Sequence, residues 1–84
     1  MANFSENGII ARLNGVFAFV FDDDSIRVTR ATTSNDIEDW DSLTHVTLIG
    51  EVEEEFGFKF TMKEVVGMQN VGEMIDIIAQ RARK

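Results

Sequence analysis

Ser42 is the residue with the widest chemical possibilities in this sequence, because it stands among acids just ahead of a strongly helical run. The stretch from Ile37 to His45 reads IEDWDSLTH. A serine here can cap a helix, act as a nucleophile if a base lies within hydrogen-bond reach, or receive a covalently attached group. These three roles make different demands on the rest of the chain.

Catalysis by Ser42 has little support in the sequence. The chain has one histidine, His45, and its helical position faces the predicted core, where a histidine is usually packed. A serine hydrolase also needs an acid that orients the histidine. A helix cap formed by Ser42 or Asp41 is ordinary and by itself explains an Asp-Ser pair. We therefore predict no catalytic residue, and a hydrolase using Ser42 and His45 is the last of three hypotheses.

Length and charge limit the classes of function. The 84 residues suffice for one small domain, residues 1–84, and the absence of cysteine excludes disulfides and thiolate–metal sites. The net charge of −7 argues against nucleic acid as a direct partner and favours basic protein surfaces. The amino terminus lacks a secretory signal and no stretch is long enough to span a membrane. We therefore predict a cytoplasmic protein.

No metal site is predicted. The aspartates Asp22 to Asp24 resemble the start of a calcium loop, but an EF-hand needs glycine at its sixth position and glutamate at its twelfth. Counted from Asp22, those positions hold Arg27 and Thr33. A solvated loop explains the three acids better.

Hydrophobic periodicity predicts an all-α bundle of four helices with a long first loop and a short third helix. We expect the first helix from about Phe4 to Val20 and the second from Ser42 to Phe56, ended by Gly57. Thr61 and Glu64 have capping-box spacing for a short third helix ending at Gly67, and Asn70 and Glu73 repeat that spacing for the last. The inner stripes consist of these residues: Ile9, Ile10, Leu13, Val16, Phe17 and Val20 in the first helix; Val71, Met74, Ile75, Ile78 and Ala82 in the last.

The segment between the first two helices is long for so small a domain. Its composition around SIRVTRATT, Ser25 to Thr33, is compatible with a β-hairpin. Ile26, Val28 and Ile37 are expected to fix the loop to the core, and Trp40 to anchor its end. Three methionines are interpreted as core packing, with a possible role beside a lipid cavity: Met62, Met68 and Met74.

The second helix carries two apolar stripes. At about 100° per residue, one stripe faces the core and contains His45, Leu48, Ile49, Val52 and Phe56. A second stripe, formed by Leu43, Val46 and Gly50, lies on another side and is bordered by Thr47, Glu53 and Glu54. An exposed apolar strip with acids at its end is typical of a docking surface, although Val46 could instead pack beneath the long loop.

These residues resemble the recognition helix of acyl carrier proteins. The resemblance rests on Asp41-Ser42-Leu43, on the pattern of aliphatic residues that follows, and on the Glu-Glu-Glu-Phe run that ends the helix at Phe56. It covers roughly Ile37 to Ile78. The Asp-Ser-Leu triplet alone is weak, but with the helix pattern and the short-then-long pair of helices it is specific.

The resemblance implies that Ser42 carries a 4′-phosphopantetheine arm, received from coenzyme A through a phosphopantetheinyl transferase. The arm's thiol would hold acyl groups as thioesters, so the chain would be a carrier rather than an enzyme, working as a monomer. A serine at the start of a helix suits a phosphodiester, because the helix dipole and free backbone N–H groups stabilise it. Asp41, Leu43, Val46, Glu53 and Glu54 match residues that contact enzymes with basic docking patches.

Departures from the family pattern suggest a specialised fatty-acyl, polyketide or related pathway. Asp39 and Trp40 stand where many members have glycine and a small or aliphatic residue, and Thr44 and Thr47 stand where fatty-acid carriers commonly have acids. His45 replaces a small polar residue and is expected, with Leu48, Ile49 and Val52, to line the cavity that shelters an acyl chain. The alternative to a carrier is an unmodified acidic helical module for protein–protein interaction.

Overall fold

The computed structural model describes residues 5–84, which form one bundle of α-helices. The elements in chain order are α1 (Glu6–Phe21), a 3₁₀ helix (Ser34–Asp36), α2 (Ser42–Phe56), α3 (Met62–Gly67) and α4 (Val71–Arg81). The predicted all-α architecture, with its long first loop and short third helix, is confirmed. Helix α1 packs against both α2 and α4.

Helix α1 begins after Ser5, whose side chain accepts a hydrogen bond from the Gly8 amide and so caps the helix. It ends at Asp22, which adopts the left-handed conformation with φ 52° and ψ 47°. The predicted end near Val20 is therefore confirmed, and the aspartates do open a loop. Phe4, the predicted first residue, lies outside the described residues.

The segment between α1 and α2 contains no strand within the described chain, so the predicted hairpin is wrong. Its backbone groups find side-chain partners instead: the Val28 amide donates to Asn14 Oδ1 at 2.7 Å and the Thr29 amide to Thr32 Oγ1 at 2.8 Å. Its carbonyls also accept from the first amides of α4, since Gly72 donates to Arg30 at 2.9 Å and Val71 to Thr32. A β-ladder would have required these same groups.

The caps of α3 and α4 and the end of α2 lie where the sequence predicts them. Thr61 and Glu64 form a reciprocal capping box at α3, and Asn70 accepts from the Glu73 amide at α4. Gly57 ends α2 in the left-handed conformation, with φ 71°. The chain end returns to this point, because the amides of Arg83 and Lys84 both donate to the Phe56 carbonyl.

One core unites all four helices and the long loop. Trp40 anchors the loop as predicted, with its indole 5.3 Å from the Phe17 ring in an edge-on arrangement. Met74 is fully buried and Met68 packs against the core, but Met62 is 76% exposed, so its predicted core position is wrong. The buried residues are Ile9, Leu13, Val16, Phe17, Phe21, Val28, Trp40, Leu48, Ile49, Val52, Phe56, Phe60, Val71, Met74, Ile75 and Ile78.

None of the helices in residues 5–84 combines the length and the apolar character that crossing a membrane requires. The described part of the chain also contains no cluster of side chains suited to hold a metal ion.

Candidate functional site

Asp41, rather than Ser42, caps α2. The Asp41 carboxylate accepts from the amides of Leu43 and Thr44, each at 3.0 Å. Thr44 completes the capping box, because its hydroxyl oxygen accepts from the Asp41 amide at 2.8 Å. Asp41 and Thr44, which precede and follow Ser42 in the chain, therefore cap the helix without using the Ser42 hydroxyl.

Ser42 is the first residue of α2, and its side chain is exposed. Within residues 5–84 the Ser42 hydroxyl has no hydrogen-bond partner, whereas the hydroxyls of Ser5, Thr33 and Thr61, each of which precedes a helix, are capping groups. The backbone holds Ser42 in place while its oxygen stays accessible to another molecule. This is the geometry that covalent modification requires.

The amide groups at the start of α2 are less available than the sequence predicted. We expected free N–H groups beside a phosphodiester on Ser42, but Asp41 already accepts from two of them. Hydrogen bonds from the Thr44 amide, the Thr44 hydroxyl and the Leu43 amide lower the pKa of Asp41. A phosphate on Ser42 would therefore lie beside the ionised Asp41 carboxylate, which repels it. The dipole of α2 would act in the opposite direction and stabilise the phosphate.

His45 cannot serve as a base for Ser42 in this arrangement, because both of its ring nitrogens have other partners. The indole Nε1–H of Trp40 donates to His45 Nδ1 at 3.1 Å, and His45 Nε2 lies 3.0 Å from the Val65 carbonyl oxygen. The ring is half-buried and lies nearly parallel to the indole, with centroids 5.9 Å apart and the two planes inclined by 25°. The predicted inward orientation is confirmed, and nucleophilic catalysis by Ser42 and His45 has no geometric basis.

A shallow depression of about 230 Å³ opens beside Ser42. It is lined by Ser34, Trp40, Asp41, Ser42 and His45. An aromatic wall and several polar groups therefore adjoin the exposed hydroxyl, on the side of the helix that faces the long loop.

The second apolar stripe of α2 is exposed, as its helical positions predicted. Leu43 is 80% exposed and Val46 is 66% exposed, so Val46 does not pack beneath the loop. Thr47, Gly50 and Glu54 are also exposed. Glu54 makes no ion pair or hydrogen bond within residues 5–84, which leaves its carboxylate available to a partner.

Glu53 has a different environment from Glu54. Its carboxylate accepts from the Phe60 amide at 2.9 Å and lies 3.8 Å from the Lys59 ammonium, and only 16% of its side chain is exposed. It thus fixes the connection between α2 and α3. The structure gives this predicted docking acid a structural contact that a partner would have to break.

The residues predicted to line an acyl cavity occupy the core side of α2. Leu48 and Val52 are fully buried and Ile49 is 6% exposed. All three belong to the continuous core, and His45 lies at its edge between Trp40 and α3. An acyl chain would enter this region only by displacing side chains, so the lining role stays a prediction.

Two exposed residues of α3 were missed by sequence reasoning. Met62 is 76% exposed and Val66 is 77% exposed, and α3 touches α2 through Val65 and His45. The i, i+4 spacing of Met62 and Val66 was the available signal. The interpretation of Met62 as core packing or as the lining of a lipid cavity does not predict this exposure.

Comparison with known proteins identifies this arrangement. The family model described as a phosphopantetheine attachment site matches residues 9–78. A solution structure of a holo acyl carrier protein from Geobacter metallireducens is similar to the chain, with 42% sequence identity and a TM-score of 0.80 over 86% of this chain and 83% of that one. No protein in a search of curated sequences matches.

This chain belongs to the acyl carrier protein family. It is a carrier of covalently attached 4′-phosphopantetheine, not a catalyst. The residues at the start of α2 fit such a group, because an exposed, unpartnered hydroxyl adjoins an open depression.

Proposed function

We propose that Ser42 is the attachment residue and that this acyl carrier protein delivers thioester-bound acyl groups to partner enzymes. The observation that carries the proposal is the Ser42 hydroxyl, which is exposed and unpartnered at the first residue of α2. In the modification reaction the Ser42 oxygen forms a phosphoester bond, the diphosphate linkage of coenzyme A breaks, and adenosine 3′,5′-bisphosphate leaves. No basic side chain of the described residues is hydrogen-bonded to Ser42, so we expect the phosphopantetheinyl transferase to supply the base that accepts the hydroxyl proton.

Intact-mass measurement tests this assignment. After incubation with coenzyme A and a broad-specificity phosphopantetheinyl transferase, the wild-type protein should gain the mass of one arm, and Ser42→Ala should gain none. Ser34→Ala is the matched control, because Ser34 lines the same depression and is exposed. It should be modified like the wild type. An unmodified wild type, or an arm on Ser42→Ala, would refute the assignment.

We propose a docking surface formed by Asp41, Leu43, Val46 and Glu54. Two large apolar side chains are exposed next to Ser42, and an unpaired acid lies further along the same helix. Partner enzymes with basic patches and a small apolar pocket fit this surface. Few anchors and a charged rim give weak association that salt screens, which allows one carrier to visit several enzymes.

Glu53 contributes less to this surface than the sequence suggested, because its carboxylate is engaged with Phe60 and Lys59. Thr44 also has an internal function, since it completes the capping box with Asp41. Its place in a position that is commonly acidic therefore supports local folding and removes charge near the arm. Thr47, which is exposed, lowers the acidity of the docking side directly.

This reduced acidity supports a specialised fatty-acyl, polyketide or related pathway. A cytoplasmic location stays a prediction. The monomer is the expected form, because a second copy packed on α2 would cover the docking surface. Leu48, Ile49, Val52 and His45 are the residues we expect around a sheltered acyl chain, since they form the inner side of the same helix.

A further inference from the structure

The hydrogen bonds of His45 define its protonation state. An indole N–H is only a donor, so His45 Nδ1 must accept the bond from Trp40 Nε1, which is 3.1 Å away. The ring hydrogen is then on Nε2, where it donates to the Val65 carbonyl oxygen at 3.0 Å. Only the neutral imidazole with this tautomer can make both bonds at once.

A second proton on the ring changes one of these bonds and leaves the other. The Nδ1–H group of the charged ring would face the indole N–H, donor against donor, whereas Nε2–H could still donate to Val65. Trp40 is 9% exposed and packs against Phe17 and Phe21. Its N–H would therefore lose its partner in a largely buried place, which costs free energy unless the indole moves.

Trp40 connects this bond to Ser42. The indole anchors the end of the long loop, Asp41 follows it as the cap of α2, and Ser42 is the next residue. Trp40, Ser42 and His45 also line the same depression. A movement of the indole away from His45 would therefore change the wall beside the Ser42 hydroxyl and the path of the backbone that presents it.

The charged groups around the ring do not replace its bonds. The adjoining segments carry the charged residues Asp39 and Asp41 just before α2 and Lys63 and Glu64 on α3. The Asp41 carboxylate is bonded to helix amides, and Glu64 is bonded to the Thr61 amide and to Arg81 of α4. Within residues 5–84 none of these groups is hydrogen-bonded or ion-paired to His45.

We propose that His45 is a pH-sensitive positioning residue for Ser42: the neutral ring fastens Trp40 to α2 and α3, and protonation of Nδ1 releases the indole. The start of α2 would therefore be ordered while the ring is neutral and loosened once Nδ1 is protonated. The expected effect on the rate of arm transfer rests on the proposed function of Ser42, whereas the release of the indole is independent of that function.

The indole resonance gives the direct test. Trp40 is the only tryptophan, so its Nε1–H signal in a ¹H–¹⁵N spectrum is unambiguous. As pH falls from about 8 to 5, we expect this signal to shift with a single-proton transition that coincides with the titration of the His45 ring protons. An indole signal that stays in place while the ring titrates would overturn the proposal. This measurement uses the wild-type protein alone and so does not depend on the folding of a variant.

Arm transfer gives the functional readout. His45→Gln and Trp40→Phe each remove the titrating bond, so the ratio of the wild-type rate to either variant's rate cancels the transferase's own pH dependence. We expect this ratio to fall by at least about threefold between pH 8 and 5. A constant ratio overturns the positioning role. If Ser42 is not modified at all, the proposed function fails, while the indole titration still decides whether the Trp40–His45 bond responds to pH.

Discussion

The two ends of α2 differ in how much of their bonding capacity the fold uses. At the carboxyl end, Glu53 is bonded to the Phe60 amide, Glu55 pairs with Arg12 at 2.8 Å, and the Phe56 carbonyl accepts from the chain end. At the amino end, the Ser42 hydroxyl is unpartnered and Leu43 is 80% exposed. The helix is therefore fixed at one end and presents accessible groups at the other.

This difference explains how a small domain can offer a reactive position without losing stability. Phe56 is fully buried, and the Arg12 guanidinium lies over its ring at 4.2 Å. Arg12 also donates to the carbonyls of Glu55 and Lys84. The carboxyl end thus joins α1, α2 and the chain terminus, while the amino end depends on one capping box and on Trp40.

Replacing one large apolar residue by alanine at each end of α2 should give the greatest difference in the free energy of unfolding. Phe56→Ala should lower the free energy of unfolding by about 3–5 kcal/mol, because it leaves a cavity in the core. Leu43→Ala should change it by less than about 0.5 kcal/mol, since that side chain is already in solvent. Urea unfolding followed by circular dichroism measures both values. Equal losses of stability in the two variants would contradict the difference between the two ends of α2.

For docking, the apolar residue at the amino end of α2 should matter more than the one at the carboxyl end. We expect Leu43→Ala to raise the KM of the phosphopantetheinyl transferase by about five- to tenfold, which corresponds to about 1–1.4 kcal/mol, with little change in kcat. Phe19→Ala is the control, because Phe19 is 74% exposed but lies on α1. An equal rise in KM for Phe19→Ala would show that exposure of an apolar side chain, rather than its place near Ser42, determines the effect.

Variants of the adjacent acids Glu53 and Glu54 should show a smaller difference of the same kind: the first should affect stability and the second docking. Glu53→Gln weakens the bond to Phe60 and the approach of Lys59, so we expect a loss of about 0.5–1.5 kcal/mol in stability. Glu54→Gln should leave stability unchanged and weaken docking, with a difference from wild type that disappears at high salt. A salt-independent effect of Glu54→Gln would remove this residue from the proposed docking surface.

Periodicity predicted the helices well because their apolar faces are regular. The inner stripe of α2, from His45 to Phe56, and the separate stripe of Leu43 and Val46 both follow from the turn of the helix, whereas the exposure of Val46 was decided by the structure. The caps Thr61, Asn70 and Gly57 were also local signals. What depends on neighbours within a few residues was therefore visible in the sequence.

Contacts between distant segments were not visible. The segment around Val28 has a β-friendly composition, but its amides and carbonyls are taken by Asn14 and by the start of α4, which lie far away in sequence. Glu53 and Glu54 have the same side chain, and only the return of the chain at Phe60 distinguishes them. The Trp40–His45–Val65 bridge likewise needs three segments to meet.

The smallest effect we predict concerns the pH dependence of the amino end. The pKa of Asp41 is lowered, chiefly by the hydrogen bond from the Thr44 amide. A lowered pKa in the folded state means that the ionised group stabilises the fold above its unfolded pKa of about 3.9 and that this contribution is lost as pH falls through the folded pKa. Asp41→Asn keeps an oxygen that can accept from the same amides but does not titrate. The wild type should therefore have the higher Tm at neutral pH, and the difference should shrink as pH falls and vanish once the Asp41 carboxyl is protonated in the folded state. Thermal unfolding of both proteins across this range measures it. A Tm difference that is independent of pH would mean that the charge of Asp41 does not contribute to capping, and that the accessible end of α2 depends on hydrogen-bond geometry alone.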